Sequence, residues 1–308
     1  MNIMVLIETM LVLFAIIMLG YLLNKLGILR AESNSIISEL IVKVTAPILV
    51  ISSVCNTGDA TDKGQIIKIF FIGIIFYILL IAFSQVIRKV FCLKGDSWNI
   101  YSLMLIFTNT AFVGYPVLKA LYGDYAIFAS SILHMPFNVL LYSYGVYMIQ
   151  GNKMAKREFK IKEVLNTGVI SAIIALIIFL FGIKVPRILQ EILTMVGGVT
   201  TPLSMILIGS SLALIPIKHV FSDIRVYIVS VIKLVIMPII TYFIANFFTN
   251  DSFIISQLTI ATALPAGSMI VMLATQYKGE IKAASTGVFI TTVLSIITIP
   301  SMVYLLLG

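Results

Sequence analysis

Charge is what this sequence has least of. Only 11% of its 308 residues are Asp, Glu, Lys or Arg, whereas a soluble domain carries roughly 25%. With 60% hydrophobic residues and a mean hydropathy of +1.11, a water-soluble fold would lack polar side chains to cover its surface. A bilayer removes that conflict, because its core accepts apolar side chains. Cysteine is sparser still, with two residues. Cys55 and Cys92 fall at the ends of different predicted helices, on opposite sides of a membrane, which argues against a disulfide and offers no metal-ligand spacing. Catalytic signatures are missing too: there is no G-x-S-x-G, no H-E-x-x-H and no P-loop. No enzymatic reaction, metal, cofactor or direct use of ATP is therefore expected.

What is present is a succession of long apolar runs. A spanning helix needs about 20 residues. Ten runs fit the chain, at approximately 4–24, 34–55, 66–91, 98–121, 125–149, 163–183, 190–215, 223–248, 253–277 and 280–306, and they leave no room for a soluble domain. The first lacks a basic start and a small-residue cleavage site, so it reads as a permanent helix rather than a removable signal. The formal charge of +8 does not point to nucleic acid, because the basic residues sit in short gaps between apolar runs, as membrane loops do. The odd-numbered loops hold Lys25, Arg30, Arg88, Lys89, Lys94, the run Lys153, Lys156, Arg157, Lys160 and Lys162, then Lys218, Arg225, Lys278 and Lys282; the even-numbered loops hold Lys63, Lys68, Lys119, Lys184 and Arg187. Fourteen against five makes the odd loops cytoplasmic and turns both termini outward. The run at 151–162 is then the largest cytoplasmic loop and a topology determinant.

The chain also repeats itself. Shifted by 155, residues 27–47 lie on 182–202 without gaps: Gly27 meets Gly182, and Val44-Thr45-Ala46-Pro47 meets Val199-Thr200-Thr201-Pro202. A repeat of five helices, an odd number, enters the membrane the second time from the other side. Such inverted repeats give secondary transporters two related shapes, one open to each side. The expected fold is therefore an all-α integral membrane protein of ten helices in two inverted five-helix repeats, 1–150 and 163–308.

Helix four of each half is marked by breakers. Helix four carries Thr108-Asn109-Thr110-Ala111-Phe112-Val113-Gly114-Tyr115-Pro116, and helix nine carries Thr262-Ala263-Leu264-Pro265-Ala266-Gly267-Ser268. Proline removes a backbone donor and glycine loosens the chain; backbone groups freed at membrane depth must be satisfied by protein, water or ligand. Paired interruptions in corresponding places point to a transporter site, and two half-helices starting there would favour an anion. Asn109, Thr110, Gly114, Pro116, Thr262, Pro265, Gly267 and Ser268 are its candidate residues, against the plainer reading of simple proline kinks. In helix five, His134, Asn138 and Tyr142 share one face, where they would line a site or hold helices together by hydrogen bonds. His134 also offers a group that titrates near neutrality. Lys233, deep in helix eight, costs about 2.5–3.5 kcal/mol on insertion scales, so it either snorkels to the cytoplasm or neutralises a substrate. Glu39 and Lys43, one turn apart, can pair with each other.

Together, ten helices with outward termini, Val-Thr-x-Pro in helix two, Asn109-Thr110-Ala111-Phe112-x-Gly114-x-Pro116 and a short basic central loop make a chain that resembles the auxin efflux carrier family over its whole length, and more narrowly its bacterial permease branch. The resemblance implies a scaffold of helices one, two, six and seven and a moving transport domain of helices three to five and eight to ten. It also implies broken helices four and nine crossing at Pro116 and Pro265, with Asn109 the polar helix-four residue and Lys233 the basic residue before the helix-eight proline. Members export auxin in plants, and bacterial members are assigned to malate, malonate and related carboxylates. The long hydrophilic loop of the plant carriers is absent, which makes auxin an unsuitable native substrate here. The expected function is a secondary transporter of a small organic anion in the cell membrane, driven by a proton or sodium gradient and potentially homodimeric. A sodium-coupled carrier or antiporter, and a non-transporting sensor or assembly protein, are the alternatives.

Overall fold

The computed structural model describes residues 3–55, 63–90, 96–150, 167–214, 223–277 and 279–308. The basic loop at 151–162, Cys92 and Lys278 lie outside the described residues, as do the side chains of Asn138 and Tyr142. All regular elements among the described residues are helical. We number them α1 (Ile3–Lys25), α2 (Ala31–Cys55), α3 (Lys63–Val90), α4 (Asp96–Ile106), α5 (Tyr115–Tyr122), α6 (Asp124–Leu133), α7 (135–150), α8 (Thr167–Phe181), α9 (Arg187–Ala213), α10 (Ile224–Phe248), α11 (Ser252–Ala263), α12 (Met269–Gln276) and α13 (Ile281–Leu307). Five of these, α2, α3, α9, α10 and α13, are long and apolar enough to cross a membrane. Their outer faces keep large apolar side chains exposed, such as Phe71, Ile75 and Ile78 on α3 and Phe243 and Phe247 on α10, as a lipid-facing surface requires.

Prolines shape the long helices in a repeated way. Of the wide π-turns among the described residues, Leu141–Gly145 has no proline after it, whereas Ile41–Thr45, Thr110–Gly114 and Ile232–Ile236 each stand just before one: Pro47, Pro116 and Pro238. In all three the residue preceding the proline donates its N–H five residues back, Ala46 to Ile41, Tyr115 to Thr110 and Met237 to Ile232. The wider turn moves the earlier carbonyl away from the proline ring, which would otherwise clash with it. The two Val-Thr-x-Pro copies behave differently. Pro47 sits inside a helix that continues through its π-turn, whereas Pro202 falls in the first turn of the Thr200–Ala213 segment of α9, after a turn at Val199.

α1 lies against that segment at backbone distance. A Cβ on Gly20 would run into the Ile206 backbone, and one on Gly209 into the Ile17 carbonyl. Small residues permit this approach, a common basis of helix association where lipid supplies no hydrophobic drive. Polar groups close one end of the contact: Asn24 donates to Ser210 Oγ (3.1 Å), and Ser210 donates to Asn34 Oδ1 (2.7 Å). Elsewhere Glu39 and Lys43 do pair, on an exposed face of α2.

The largest buried cluster surrounds α4, where Trp98, Tyr101, Phe107 and Phe128 are at most 2% exposed. α11 is buried from Ile254 to Ala263. The two short helices that stop inside the protein are thus both well enclosed by it, as backbone that leaves helical pairing must be. Aspartates anchor both, α11 at its start and α4 midway along. Asp251 caps α11 by accepting from the Phe253 and Ile254 amides and also accepts from Gln65. Asp223, at the start of α10, accepts from Tyr101 Oη of α4 at 2.9 Å and pairs with Arg225, which holds its carboxyl below the usual range.

Candidate functional site

α4 ends at Ile106, where Phe107 makes the last helical bond, to Leu103. Asn109 then leaves helical geometry (φ −84°, ψ 65°) before the chain re-enters a helix at Thr110. Opposite it, α11 ends as Leu264 turns to extended backbone (φ −65°, ψ 148°), and helix resumes at Met269. The two non-helical stretches meet antiparallel. Asn109 N donates to Pro265 O and Gly267 N donates to Phe107 O, both at 2.9 Å, and Thr108 and Ala266 face each other between them. Ala266 N is taken up by Thr291 Oγ1 at 3.2 Å. Gly267 is needed for this approach, because a Cβ there would lie 3.0 Å from Thr108 O; Gly114 likewise makes room for Leu264.

Each restart leaves amides free. Val113 and Gly114 both donate to Asn109 O, so the N–H groups of residues 110–112 have no intrahelical acceptor; Ile270 and Val271 donate to residues 267 and 268, which leaves those of 268 and 269. Both sets border one cavity of about 180 Å³. Thr108, Asn109, Thr110, Gly267 and Ser268 form one side of it. Val42, Ala46, Pro47 and Val50 of α2 with Val169, Ser171 and Ala172 of α8 form the facing wall. Ser131, His134, Met135 and Phe137 close it laterally. Among the described residues no Lys, Arg, Asp or Glu lines it.

Asn109 is 6% exposed, and its amide does not cap the turn that follows. His134 sits where α6 ends before Pro136, with Nδ1 2.8 Å from Ser130 O. A carbonyl can only accept, so Nδ1 carries the proton and donates it. Nε2 has no partner among the described residues. Thr108 and Thr110 share a hydrogen bond between hydroxyls at 3.0 Å.

Of the residues singled out in the sequence, Asn109, Thr110, His134, Gly267 and Ser268 come together around the cavity. Gly114, Pro116, Thr262, Pro265 and Lys233 are not among its lining residues. Gly114 and Pro116 belong to the helical restart, Pro265 contributes its carbonyl to the crossing, and Thr262 bonds back to Leu258 and Thr259 of its own helix. Asn138 is described in backbone alone. Lys233 neither snorkels nor reaches the cavity. Fully buried on the π-turn before Pro238, it donates to Leu105 O at 3.2 Å. There it caps the carbonyl end of α4, where the interruption leaves carbonyls without intrahelical donors and the helix dipole is negative. Tyr115 of the helix-four motif lines the cavity, and so do Ser131 and Ser171, although nothing in the sequence set those two serines apart. Ser131 and Ser171 each bond to a carbonyl of their own helix, and isolated serines in apolar helices commonly serve packing alone.

The model of a family described as membrane transport protein matches residues 5–303. An uncharacterized transporter of Methanocaldococcus jannaschii is 23% identical over 98% of this chain and 99% of its own length. An uncharacterized transporter of Methanothermobacter thermautotrophicus is 24% identical over 95% of this chain and 96% of its own.

Proposed function

Given that the chain belongs to the membrane transport protein family, the auxin efflux carrier family that its motifs resemble, we propose that it is a secondary active transporter of a small organic anion, a carboxylate, working by alternating access and coupled to an ion gradient. The observation that carries this reading is the convergence of two helix N-termini, with unengaged amides, on one cavity beside Asn109, Thr110 and Ser268. Helix N-termini attract anions through their N–H groups and partial positive charge. The matching interruptions after α4 and α11, each in the fourth span of its half, support an arrangement of ten spans in two inverted repeats, 1–150 and 163–308. The cavity lies between the crossing and the wall of α2 and α8. That position fits a substrate held between a scaffold (helices one, two, six and seven of the ten-span numbering) and a transport domain built from the remainder, in a cell-membrane protein that can pair as a homodimer. The Nε2 of His134, without a partner among the described residues, favours the proton over sodium as the coupling ion.

Uptake of labelled carboxylates into proteoliposomes, with imposed pH or sodium gradients, tests it. Saturable uptake that follows the pH gradient is expected. Dependence on sodium alone would favour the sodium-coupled reading, and absence of flux for every acid would favour a non-transporting role.

A further inference from the structure

The two ring nitrogens of His134 are held differently. Nδ1 lies 2.8 Å from Ser130 O and must keep a proton to donate. In the neutral ring Nε2 is then a bare acceptor, without a partner among the described residues, on a buried side chain that lines the cavity. An ionised carboxylate is also an acceptor only. The neutral ring therefore offers a bound acid a lone pair and no attraction. One proton at Nε2 reverses this. It turns the same atom into a charged donor and leaves the bond from Nδ1 to Ser130 O in place, so the ring need not turn.

The surroundings decide when that proton is held. Tyr77 of α3 stands edge-on to the ring, 6.0 Å between centroids, and Tyr115 lines the same cavity. The field of Lys233, on α10, reaches the ring, and its ammonium is itself buried. α2 and α8 bring Val42, Ala46, Val50, Ser171 and Ala172 to the cavity, and none of these five ionises. An imidazolium here without an anion would be a further buried cation in the field of that ammonium. A buried carboxylate without a counter-charge is costly in the same way. Together the two charges offset each other and share a hydrogen bond. Each ion then raises the affinity of the site for the other by the same factor.

We propose that His134 takes up one proton at Nε2 with each acid molecule bound, so that the cavity carries proton and anion across as a pair and returns with neither. This rests on the anion-carrier reading above and adds the group that holds the coupling proton and its stoichiometry. The proton comes from water on the side where the acid enters and passes to water on the side where it leaves, while Nδ1 keeps its own throughout. For an acid of single charge the loaded cavity gains no net charge, so the membrane potential does no work on the step.

Calorimetric titration of the full chain in detergent with pyruvate or malonate, repeated in buffers of different ionisation enthalpy, counts the protons taken up on binding. About one proton per acid is expected for the parent slightly above neutral pH, and about none for His134→Gln. Apparent affinity should fall about tenfold per pH unit above neutrality in the parent and stay flat in His134→Gln. In proteoliposomes of the parent, a potential set with potassium and valinomycin should leave pyruvate uptake unchanged, whereas the uptake that remains in His134→Gln should follow the potential. If the parent binds acid without taking up a proton, or if proton uptake survives in His134→Gln, the anion site stands and the His134 inference fails. If neither acid binds or is taken up, both fall. Should His134→Gln not fold, the parent alone decides: a proton count of zero, or pyruvate uptake driven by the potential, overturns the inference.

Discussion

Two residues divide the electrical work of the interruption in α4. Asn109 stands on the side where the helix restarts, and Lys233 covers the side where it stops. An amide can donate to a carboxylate without burying a fixed charge. Asn109→Ala should therefore remove one hydrogen bond to a charged group, about 1.5–3 kcal/mol, and lower apparent affinity roughly tenfold to a hundredfold while the protein still folds. Asn109→Asp should be worse than alanine, because its charge repels the anion; transport at the parental rate in that variant would move the site elsewhere. For Lys233 two effects oppose each other. Burial of a lysine at membrane depth costs about 2.5–3.5 kcal/mol, and its bond to the Leu105 carbonyl returns about 1.5–3 kcal/mol. These nearly cancel, so Lys233→Met should leave melting behaviour within about 1 kcal/mol of the parent. Its loss should appear in transport, through a carbonyl pole left uncovered near the site. A large destabilisation with unchanged transport of the surviving protein would mean that Lys233 serves only structure.

At the scale of elements, the sequence announced the breaks better than their positions. Pro265 lies within the second non-helical stretch, but Pro116 does not lie within the first. It stands in the helical restart, six residues past Thr110, because proline suits the first turn of a helix and the π-turn before it absorbs the ring. The actual break, Phe107 to Asn109, contains neither proline nor glycine. It is specified by its partner across the crossing, which no local pattern reveals. The same holds for the Lys233 bond to Leu105, a contact between residues 128 apart in sequence, and for the walls that α2 and α8 supply. Glycines were similarly ambiguous. Gly209 and Gly198 look alike in the sequence, yet a Cβ on Gly209 meets the backbone of α1 while one on Gly198 meets nothing within 4 Å. Gly209→Ala should cost about 1–3 kcal/mol by forcing α1 and α9 apart, whereas Gly198→Ala should stay within about 0.5 kcal/mol. Thermal unfolding of the two variants in detergent checks this, and equal losses would contradict the close contact.

For the whole molecule, the distribution of Lys and Arg predicts an orientation that labelling can check. In a background without Cys55 and Cys92, Ala155→Cys and Glu280→Cys should react with an impermeant thiol reagent only from the cytoplasm, and Asn250→Cys only from outside. Reversal at any of them would overturn the inverted arrangement along with the orientation. The crossing itself also dictates an order of assembly. Its two bonds join Phe107 and Asn109 to residues 265 and 267, so they cannot form until most of the chain has been synthesised. A segment that emerges first and waits for a partner more than 150 residues away pays a large loop-closure entropy and folds late. During that wait the Phe107 carbonyl and the Asn109 amide have no partner within their own half, and lipid supplies none. The nascent first half must therefore keep its break in contact with the insertion machinery, with water or with a temporarily continuous helix. The cavity beside the crossing is then among the last features to appear in biogenesis, and a chain truncated before residue 265 should be cleared by membrane proteases rather than persist as half a protein.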